Sequence, residues 1–562
     1  FARAEFAAGA LEEEARSAAA DDGVRLTDAM LDDPEELKKL RSPTAKELVK
    51  ARARIIETIR KQAQQSSREG AVPFEDLGID MVLVDEAHEF KKPPIATRMK
   101  MKGLQTQSSL GSIQLNFLTR YVREQNNGGN VHLFTGTPIT NTLTEIYHQM
   151  RYIMADEMAA VGVDQWDGWF GSFAKEVQDV ELTAAGDYEA VNRLRGFINV
   201  PELRKLVGQY MDVVFSDDMP EMQPRKTASG KLLSDPSLTE LERAELLNGR
   251  TEGANDRPYK KVVNETADPT PEQMRIFEHV QSLANEWRDM GGKARKNAMA
   301  AGLPVVPIVY EQLAARASFD ARLENDEALA GKEGTVPDHP DSKVSRAIRN
   351  LLEIYRSDSR ATQVVFTNTG LGTTASRAVR DASGGTVKDA DGVTLRRQVK
   401  VFSPIKDMVE RLVQQGIPRS EIEIVDGSTS KDRRKEIADA MNAGTVRIVI
   451  GSTQSLGVGV NMQRNLRAMH HLDAPWMPGD LEQRNGRGHR QGNQWNTVME
   501  YRYITDRIDG RRWQVLAIKQ KFITDFLKAD GETRVIEGDA ASDEESDIIS
   551  TFAEAAGDPR VL

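Results

Sequence analysis

Apolar residues are arranged in two ways along this chain. Dense runs of β-branched and aliphatic residues occur at 79–84 (IDMVLV), 131–134 (VHLF), 363–366 (QVVF), 399–402 (VKVF), 422–425 (IEIV), 446–450 (VRIVI) and 498–504 (VMEYRYI). Between most of them the apolar positions recur every three or four residues, as at 405–415 and 431–442. Runs of the first kind predict buried strands, and those of the second predict amphipathic helices. Strands alternating with helices predict α/β architecture with parallel sheets, because parallel neighbours need a crossover that a helix supplies and covers. The runs fall into two groups, 79–150 and 360–510.

The remaining stretches define an expected division. Residues 1–73 read as a helical lead-in, rich in Ala and Glu at first. Thr44-Ala45-Lys46-Glu47 then has capping-box form, ahead of an apolar stripe at Leu48, Ile55, Ile56 and Ile59. Residues 74–150 form the end of a first α/β lobe, and 343–530 form a second lobe. A mainly helical insertion and linker, 151–342, lies between them; its polar, Pro-containing part at 216–270 is expected to be loop-rich, and 331–342 to be a linker. Residues 531–562 read as an acidic, solvated tail.

Composition narrows the function classes. A length of 562 residues allows three or four domains at roughly 150 residues each. Lys and Arg number 75 against 86 Asp and Glu, a net charge of −11, which excludes a uniformly basic coat protein but not a local basic groove. The chain has no cysteine, so disulfides, thiolate metal sites, iron–sulfur clusters and cysteine nucleophiles are excluded. No run approaches the ~18 apolar residues of a membrane span, and the acidic N-terminus lacks the cationic-then-apolar order of a signal peptide. A cytoplasmic setting with no membrane partner is therefore expected. Because it begins with Phe1, the chain is expected to be part of a longer polypeptide.

Three motifs carry chemistry. Asp85-Glu86-Ala87-His88 follows the run IDMVLV directly. Two adjacent carboxylates at the carboxyl end of a buried strand suit a nucleotide-bound Mg²⁺. Asp85 would hold the ion through water, and Glu86 would orient an attacking water. The competing reading of this tetrapeptide alone is an ordinary acidic turn. A zinc-protease reading fails, since position 92 is Lys where a second His is needed. The second motif, Phe134-Thr135-Gly136-Thr137-Pro138, again follows an apolar run, and its small residues permit close packing of a strand-to-turn junction. The third is bipartite: a Gly-rich stretch at 451–463 (GSTQSLGVGVNMQ) and, further on, 481–492 (LEQRNGRGHRQG). Arg487 and Arg490 are three apart, so a helical turn would project both from one face, as a pair of guanidiniums suited to a transferring phosphoryl group. A basic surface helix or an RNA-binding arginine cluster is the alternative for this segment alone.

In this order, each after an apolar run, the motifs resemble those of superfamily-two helicase-like motors of the Swi/Snf type. DEAH resembles motif II, FTGTP motif III, STQSLGVGVN motif V and QRNGRGHRQG motif VI. Longer stretches at 74–92, 134–153, 196–207, 470–493 and 513–523 resemble the helicase half of phage- and plasmid-encoded DarB-like proteins, which join an adenine-specific DNA methylase to such a helicase. The resemblance implies two RecA-like lobes, the first truncated at its N-terminus, with a helical insertion between them. It implies ATP and Mg²⁺ as cofactors, and double-stranded DNA as the partner along which the motor moves. Asp85, Glu86, Arg487 and Arg490 take the catalytic places, and His88, Gly457, Gly459 and Gln483 the nucleotide-binding ones. Thr135, Gly136, Thr137, Ser452 and Thr453 take the places that couple to nucleic acid, with Thr453 expected to contact the tracked strand or, alternatively, to cap a helix.

Such a motor needs a phosphate-binding loop, Gly-x₄-Gly-Lys-Ser/Thr. Gly230-Lys231, Gly292-Lys293 and Gly331-Lys332 are the only Gly-Lys pairs, and none has the pattern. The loop is therefore expected on an upstream segment or a second polypeptide, with or without a DNA methylase domain, and the chain alone is expected to hydrolyse ATP poorly. An antirestriction or DNA-modification role fits this reading. The rival from another class is a non-catalytic DNA-binding or structural protein, packaged in a virion, that keeps the motor fold. Elsewhere, His470-His471 and Trp166 with Trp169 are read as packing residues rather than a metal site or a base-stacking platform. Arg433 and Arg434 read equally as phosphate contacts or a solvated helix face.

Overall fold

The computed structural model describes residues 23–41, 77–93, 109–140, 144–182, 188–215, 222–290, 307–380, 394–457, 461–506, 509–528 and 533–537, with isolated positions elsewhere. The helix expected from Thr44 falls almost wholly outside this set, as do Gly459 and the acidic tail after residue 537. The described residues form two compact units. The first takes residues up to 179, 190–212 and 519–537; the second takes 180–189 and 213–518.

In the first unit, β1 (Val82–Val84) and β2 (Val131–Leu133) pair in parallel, with Val82 opposite Val131. The crossover between them contains the helix Leu110–Gln125, whose first turn is capped by the Ser109 hydroxyl accepting from the Ser112 amide at 3.2 Å. Its Leu115 and Val122 pack on Val82, Val84, Val131 and Tyr152, which closes one face of the strand pair. A second core gathers around Trp166 and Trp169, both fully buried and stacked with ring centroids 5.5 Å apart. Tyr147, Phe173 and Phe197 join it edge-on or tilted, and Phe526 lies against Phe197 at 4.7 Å. No base can reach these indoles, so the packing reading holds. The 151–342 stretch is not purely helical, since it holds β3 (Ala174–Leu182) and β4 (Tyr188–Ile198), β4 pairing antiparallel with a short strand Val535–Glu537.

The second unit is built on a six-stranded, wholly parallel sheet of RecA-like type. Its strands are β5 (Tyr259–Ala267), β6 (Thr362–Phe366), β9 (Ile422–Val425), β10 (Ile448–Gly451), β11 (Leu466–His471) and β12 (Thr497–Thr505), in the order β5-β12-β11-β6-β10-β9. Every residue of β6 and β10 is buried, as expected where helices cover both faces. Val365 and Ile450 pack with Ile348, Leu351, Ile405 and Met408 on one face, and Val364, Phe366 and Val449 with Ile437, Met441 and Met469 on the other.

Two expectations need correction here. The polar 216–270 stretch contains β5, whose nine residues pair in register with β12 from Tyr259 to Ala267. It is an edge strand with Lys260 and Lys261 exposed, and its polar pattern hid it. The 399–402 run does not enter the sheet. Its strand is Arg396–Lys400 (β8), paired antiparallel with Thr374–Ala378 (β7) in a separate two-stranded ribbon. Val401 and Phe402 are buried, but their amides go to Thr373 O and Asp326 O, and Ser403 then caps the helix Pro404–Gln414.

Candidate functional site

The first cluster lies at the carboxyl ends of β1 and β2. Asp85 and Glu86 leave β1 exposed to solvent; the Asp85 Oδ1 accepts from the Glu86 amide at 2.9 Å. Glu86 sits in the left-handed region, φ 51°, ψ 46°, a conformation a glutamate adopts at a cost of about 1–3 kcal/mol. The turn is tied back to β2, with the Ala87 amide donating to Phe134 O at 3.0 Å and the Phe134 amide to Val84 O at 2.8 Å. His88, buried beneath this turn, brings its Nδ1 to 3.0 Å from Thr135 Oγ1 and 3.3 Å from Glu86 Oε2, with Nε2 3.5 Å from Glu89. The same Thr135 hydroxyl accepts from the Thr137 amide at 3.1 Å. The DEAH and TGTP motifs are thus one hydrogen-bonded unit. Gly136 is exposed at its tip, and Thr137 is buried, its hydroxyl without a hydrogen-bond partner among the described residues.

The second cluster lies at the carboxyl ends of β6, β10 and β11. Gly451 ends β10 where a Cβ would meet Val425 O at 2.7 Å and Leu456 Cγ at 2.8 Å, so only glycine fits. Ser452 and Ser455 then exchange caps: each amide donates to the other's hydroxyl, at 2.8 and 3.1 Å, and the short helix Thr453–Gly457 begins. Thr453 is buried. Its hydroxyl accepts from Arg484 Nε at 2.8 Å and lies 3.5 Å from Asn368 Oδ1. The hydroxyl is thus engaged inside the protein, where it ties the motif V helix to Arg484.

Arg484, which the sequence reading passed over, is the centre of this cluster. It is fully buried on the helix Pro478–Asn485, over the Phe366 ring at 5.6 Å. Beyond Thr453, its guanidinium donates to Asp473 O at 2.9 Å and Asp473 Oδ1 at 3.2 Å. Burial pushes the guanidinium pKa down, opposed by Asp473. The other Asp473 oxygen accepts from the Asn368 amide at 2.6 Å and from the Thr367 hydroxyl and Thr369 amide at 3.1 Å each. One ion pair therefore ties together the turns after β6, β10 and β11. The signal was available: Arg484 lies inside the quoted motif, one position after Gln483.

Arg487 and Arg490 do not share a helical face. The helix ends at Asn485, and both lie in the turns that follow, Arg487 half-buried and Arg490 exposed with Nη1 3.0 Å from Asn461 Oδ1. The cause is Gly486 and Gly488. At Gly488 the chain runs so close to β11 and β12 that a Cβ would lie 3.0 Å from Leu466 and Met469 side chains. Gln483 is half-buried on the helix, and Gly457 closes the motif V helix.

His470 and His471 are core residues. His470 Nδ1 is 2.9 Å from Tyr503 Oη and Nε2 is 3.0 Å from Gln363 Oε1, while Gln363 Nε2 donates to Leu351 O and Asn350 Nδ2 to Tyr503. Burial holds its pKa at about 3, and drives His471, beside Arg484, well below the ordinary value. Arg433 is on an exposed helix face, paired with Glu423 and Glu436 at 2.9 Å. Among the described residues no three His, Cys, Asp or Glu cluster as a metal cage, and no helix is long and apolar enough to cross a membrane.

Both motif clusters lie in segments that are similar to known helicase domains. Residues 26–214 match the "Probable helicase domain" family and 392–492 the "Helicase conserved C-terminal domain" family. The chain is a distant relative of the defense against restriction protein B of Escherichia phage P1, 24% identical over 535 residues. That match covers 81% of this chain and 23% of the relative, so the chain spans less than a quarter of the relative's length. Among solved structures, the C-terminal part of the Fun30 ATPase domain aligns at 17% identity over 53% of this chain and 99% of that one (TM-score 0.30). The C-terminal domain of the Sulfolobus solfataricus SWI2/SNF2 ATPase aligns at 17% over 50% and 92% (TM-score 0.29).

Proposed function

We propose that the chain is the C-terminal part of a Swi/Snf-type, DNA-dependent ATPase that moves along duplex DNA, acting in DNA modification or antirestriction. The observation that carries this reading is the His88–Thr135 hydrogen bond, 3.0 Å, which makes the carboxylate pair and the TGTP turn move together. A motor needs such a link, because a change at the nucleotide must reach the surface that grips nucleic acid.

The carboxylates fit a nucleotide-bound Mg²⁺. Asp85 is exposed, with one oxygen engaged by a backbone amide and the other available to a hydrated ion, and Mg²⁺ keeps several waters and takes few protein ligands. ATP would supply the electrophilic phosphorus, and a bound Mg²⁺ would neutralise charge on its phosphate oxygens. Asp85 would hold the hydrated ion, and Glu86, set by its left-handed backbone, would orient a water and accept its proton. Arg487 and Arg490 keep the role that the motif resemblance gives them, as guanidiniums suited to a phosphoryl group. The motor reading needs a phosphate-binding loop, and the sequence contains no Gly-x₄-Gly-Lys-Ser/Thr pattern.

The test uses the intact parent polypeptide. Glu86→Gln is expected to abolish DNA-stimulated ATP hydrolysis while nucleotide binding persists. Unchanged turnover in that variant removes the assignment.

A further inference from the structure

The β7–β8 ribbon belongs to none of the motifs, and the C-terminal family match begins at residue 392, part-way through it. It leaves the sheet just after Thr369, at the carboxyl end of β6, and returns to the helix Pro404–Gln414. That edge of the sheet is where parallel α/β proteins bind their ligands. The turn it springs from is the Thr367–Thr369 segment held by Asp473 and joined through Asn368 to Thr453.

The two faces of the ribbon differ. One is anchored: Arg377 pairs with Asp326 and lies 3.4 Å from Glu327, and Arg397 lies 3.9 Å from Glu327. Asp326 is itself fixed by Arg316 at 2.7 Å. The other face carries Thr374, Ser376 and Ala378 opposite Lys400, Gln398 and Arg396. Lys400, Gln398 and Arg396 are all exposed, and the face holds two cations, hydroxyls and an amide without a carboxylate. Arg396 is held in place by Ser376, whose hydroxyl and carbonyl accept from Nε and Nη2 at 3.1 and 3.0 Å. Neither Arg396 nor Lys400 makes an ion pair among the described residues. Residues 374–400 contain six Lys and Arg against three Asp, within a chain of net charge −11.

We propose that this face is a docking arm for the phosphate backbone of duplex DNA. The proposal rests on the translocase reading and adds to it a contact outside every helicase motif. Arg396 and Lys400 are four strand positions apart, about 13 Å at the rise of a β-strand, so each reaches a different phosphate. Phosphate contacts position a protein without reading sequence, as a motor that travels along DNA requires. The anchored face keeps the arm from folding back on the sheet edge.

The test is binding of a fluorescein-labelled duplex by the full 562-residue chain, followed by anisotropy over a range of salt. Removing two phosphate contacts lowers the slope of log affinity against log salt by about 1.8. Arg396→Ser with Lys400→Ser is therefore expected to lose about tenfold in affinity at about 50 mM salt relative to 200 mM, equally for any sequence. Arg396→Lys with Lys400→Arg, which keeps the charge, is expected to retain the slope, and Arg356→Ser with Arg360→Ser, an equal charge loss from exposed positions before the amino end of β6, is expected to leave it unchanged. A serine pair with the unmutated slope overturns the proposal, as does an equal loss in the Arg356/Arg360 control. Preferential competition by single-stranded RNA or an acidic peptide also overturns it. If the unmutated chain fails to bind duplex at all, the translocase reading falls and the arm with it; binding that the serine pair leaves intact removes the arm alone.

Discussion

Truncating Arg484 to alanine is the most discriminating perturbation of the second cluster. The substitution removes three hydrogen bonds from a fully buried guanidinium, one to Thr453 and two to Asp473, with its contact to the Phe366 ring. Breaking a buried ion pair from one side costs about 3–5 kcal/mol, chiefly because the remaining charge is stranded. Here Asp473 keeps the Thr367 hydroxyl and the Asn368 and Thr369 amides and retains some solvent exposure, which puts the cost near the lower limit, about 3 kcal/mol. Because Arg484 spans separate turns, the loss falls on their local opening. In amide exchange this amounts to about a hundredfold faster exchange in peptides covering 448–457 and 366–371. Arg484→Lys keeps the charge but not the planar fork, and is expected to fall between wild type and alanine. Hydrogen–deuterium exchange with mass spectrometry reads each segment separately, which matters because a chain of two units need not melt in one step. Unchanged protection of both segments in Arg484→Ala would refute the argument that one side chain ties them.

Two other perturbations follow from the core. Burial lowers the His470 pKa from 6.5 to about 3, so the folded state refuses a proton that the unfolded chain accepts. The stability this confers is complete above the unfolded pKa and is lost as pH falls from about 6.5 toward 3, by at most about 1.4 kcal/mol per pH unit. His470→Gln is expected to flatten the pH dependence of thermal stability between those limits, and an identical slope would count against it. Gly488→Ala places a Cβ 3.0 Å from Leu466 and Met469 and 3.2 Å from Val498, overpacking worth about 1–3 kcal/mol, whereas Gly427→Ala meets no atom within 4 Å. Thermal melts should separate the two variants by several degrees, and equal midpoints would show that the 486–492 turn is not pinned to the sheet.

What the sequence disclosed depended on whether a feature was local. β6, β9, β10 and β12 were legible because their apolar residues make dense runs, and in β6 and β10 these are buried on both faces. β11 was not, because Leu466-Arg467-Ala468-Met469-His470-His471 has little strand propensity. It is a strand because it lies between β6 and β12 and its imidazole finds Tyr503 and Gln363 there. β5 was hidden by lysines that suit an edge, and the ribbon's strand was mistaken for a sheet strand because Val399–Phe402 reads the same in either place. The DEAH and TGTP motifs were each found, but their junction through His88 and Thr135 spans 47 positions and no spacing rule predicts it. Arg484 was overlooked for the opposite reason. An arginine in a basic motif reads as surface charge, and only its partners show that it is core.

The place of Arg484 follows from the topology of the sheet. After β6 the chain builds β9 and β10 on one side, then crosses over β6 to build β11 and β12 on the other. The strands flanking β6 are therefore reached in opposite directions, and such a switch point leaves a crevice at the carboxyl ends. The turns after β6, β10 and β11 all open there, and they carry hydroxyls, an amide and a carboxylate at Thr367, Asn368, Thr453 and Asp473. A planar guanidinium inserted from the neighbouring helix can bond Thr453 and Asp473 at once, and Asp473 then holds the β6 turn. Any ligand that displaces one of these turns must strain a buried ion pair shared with the other two. The crevice therefore answers as one body, and the β7–β8 ribbon, springing from the β6 turn, is attached to it.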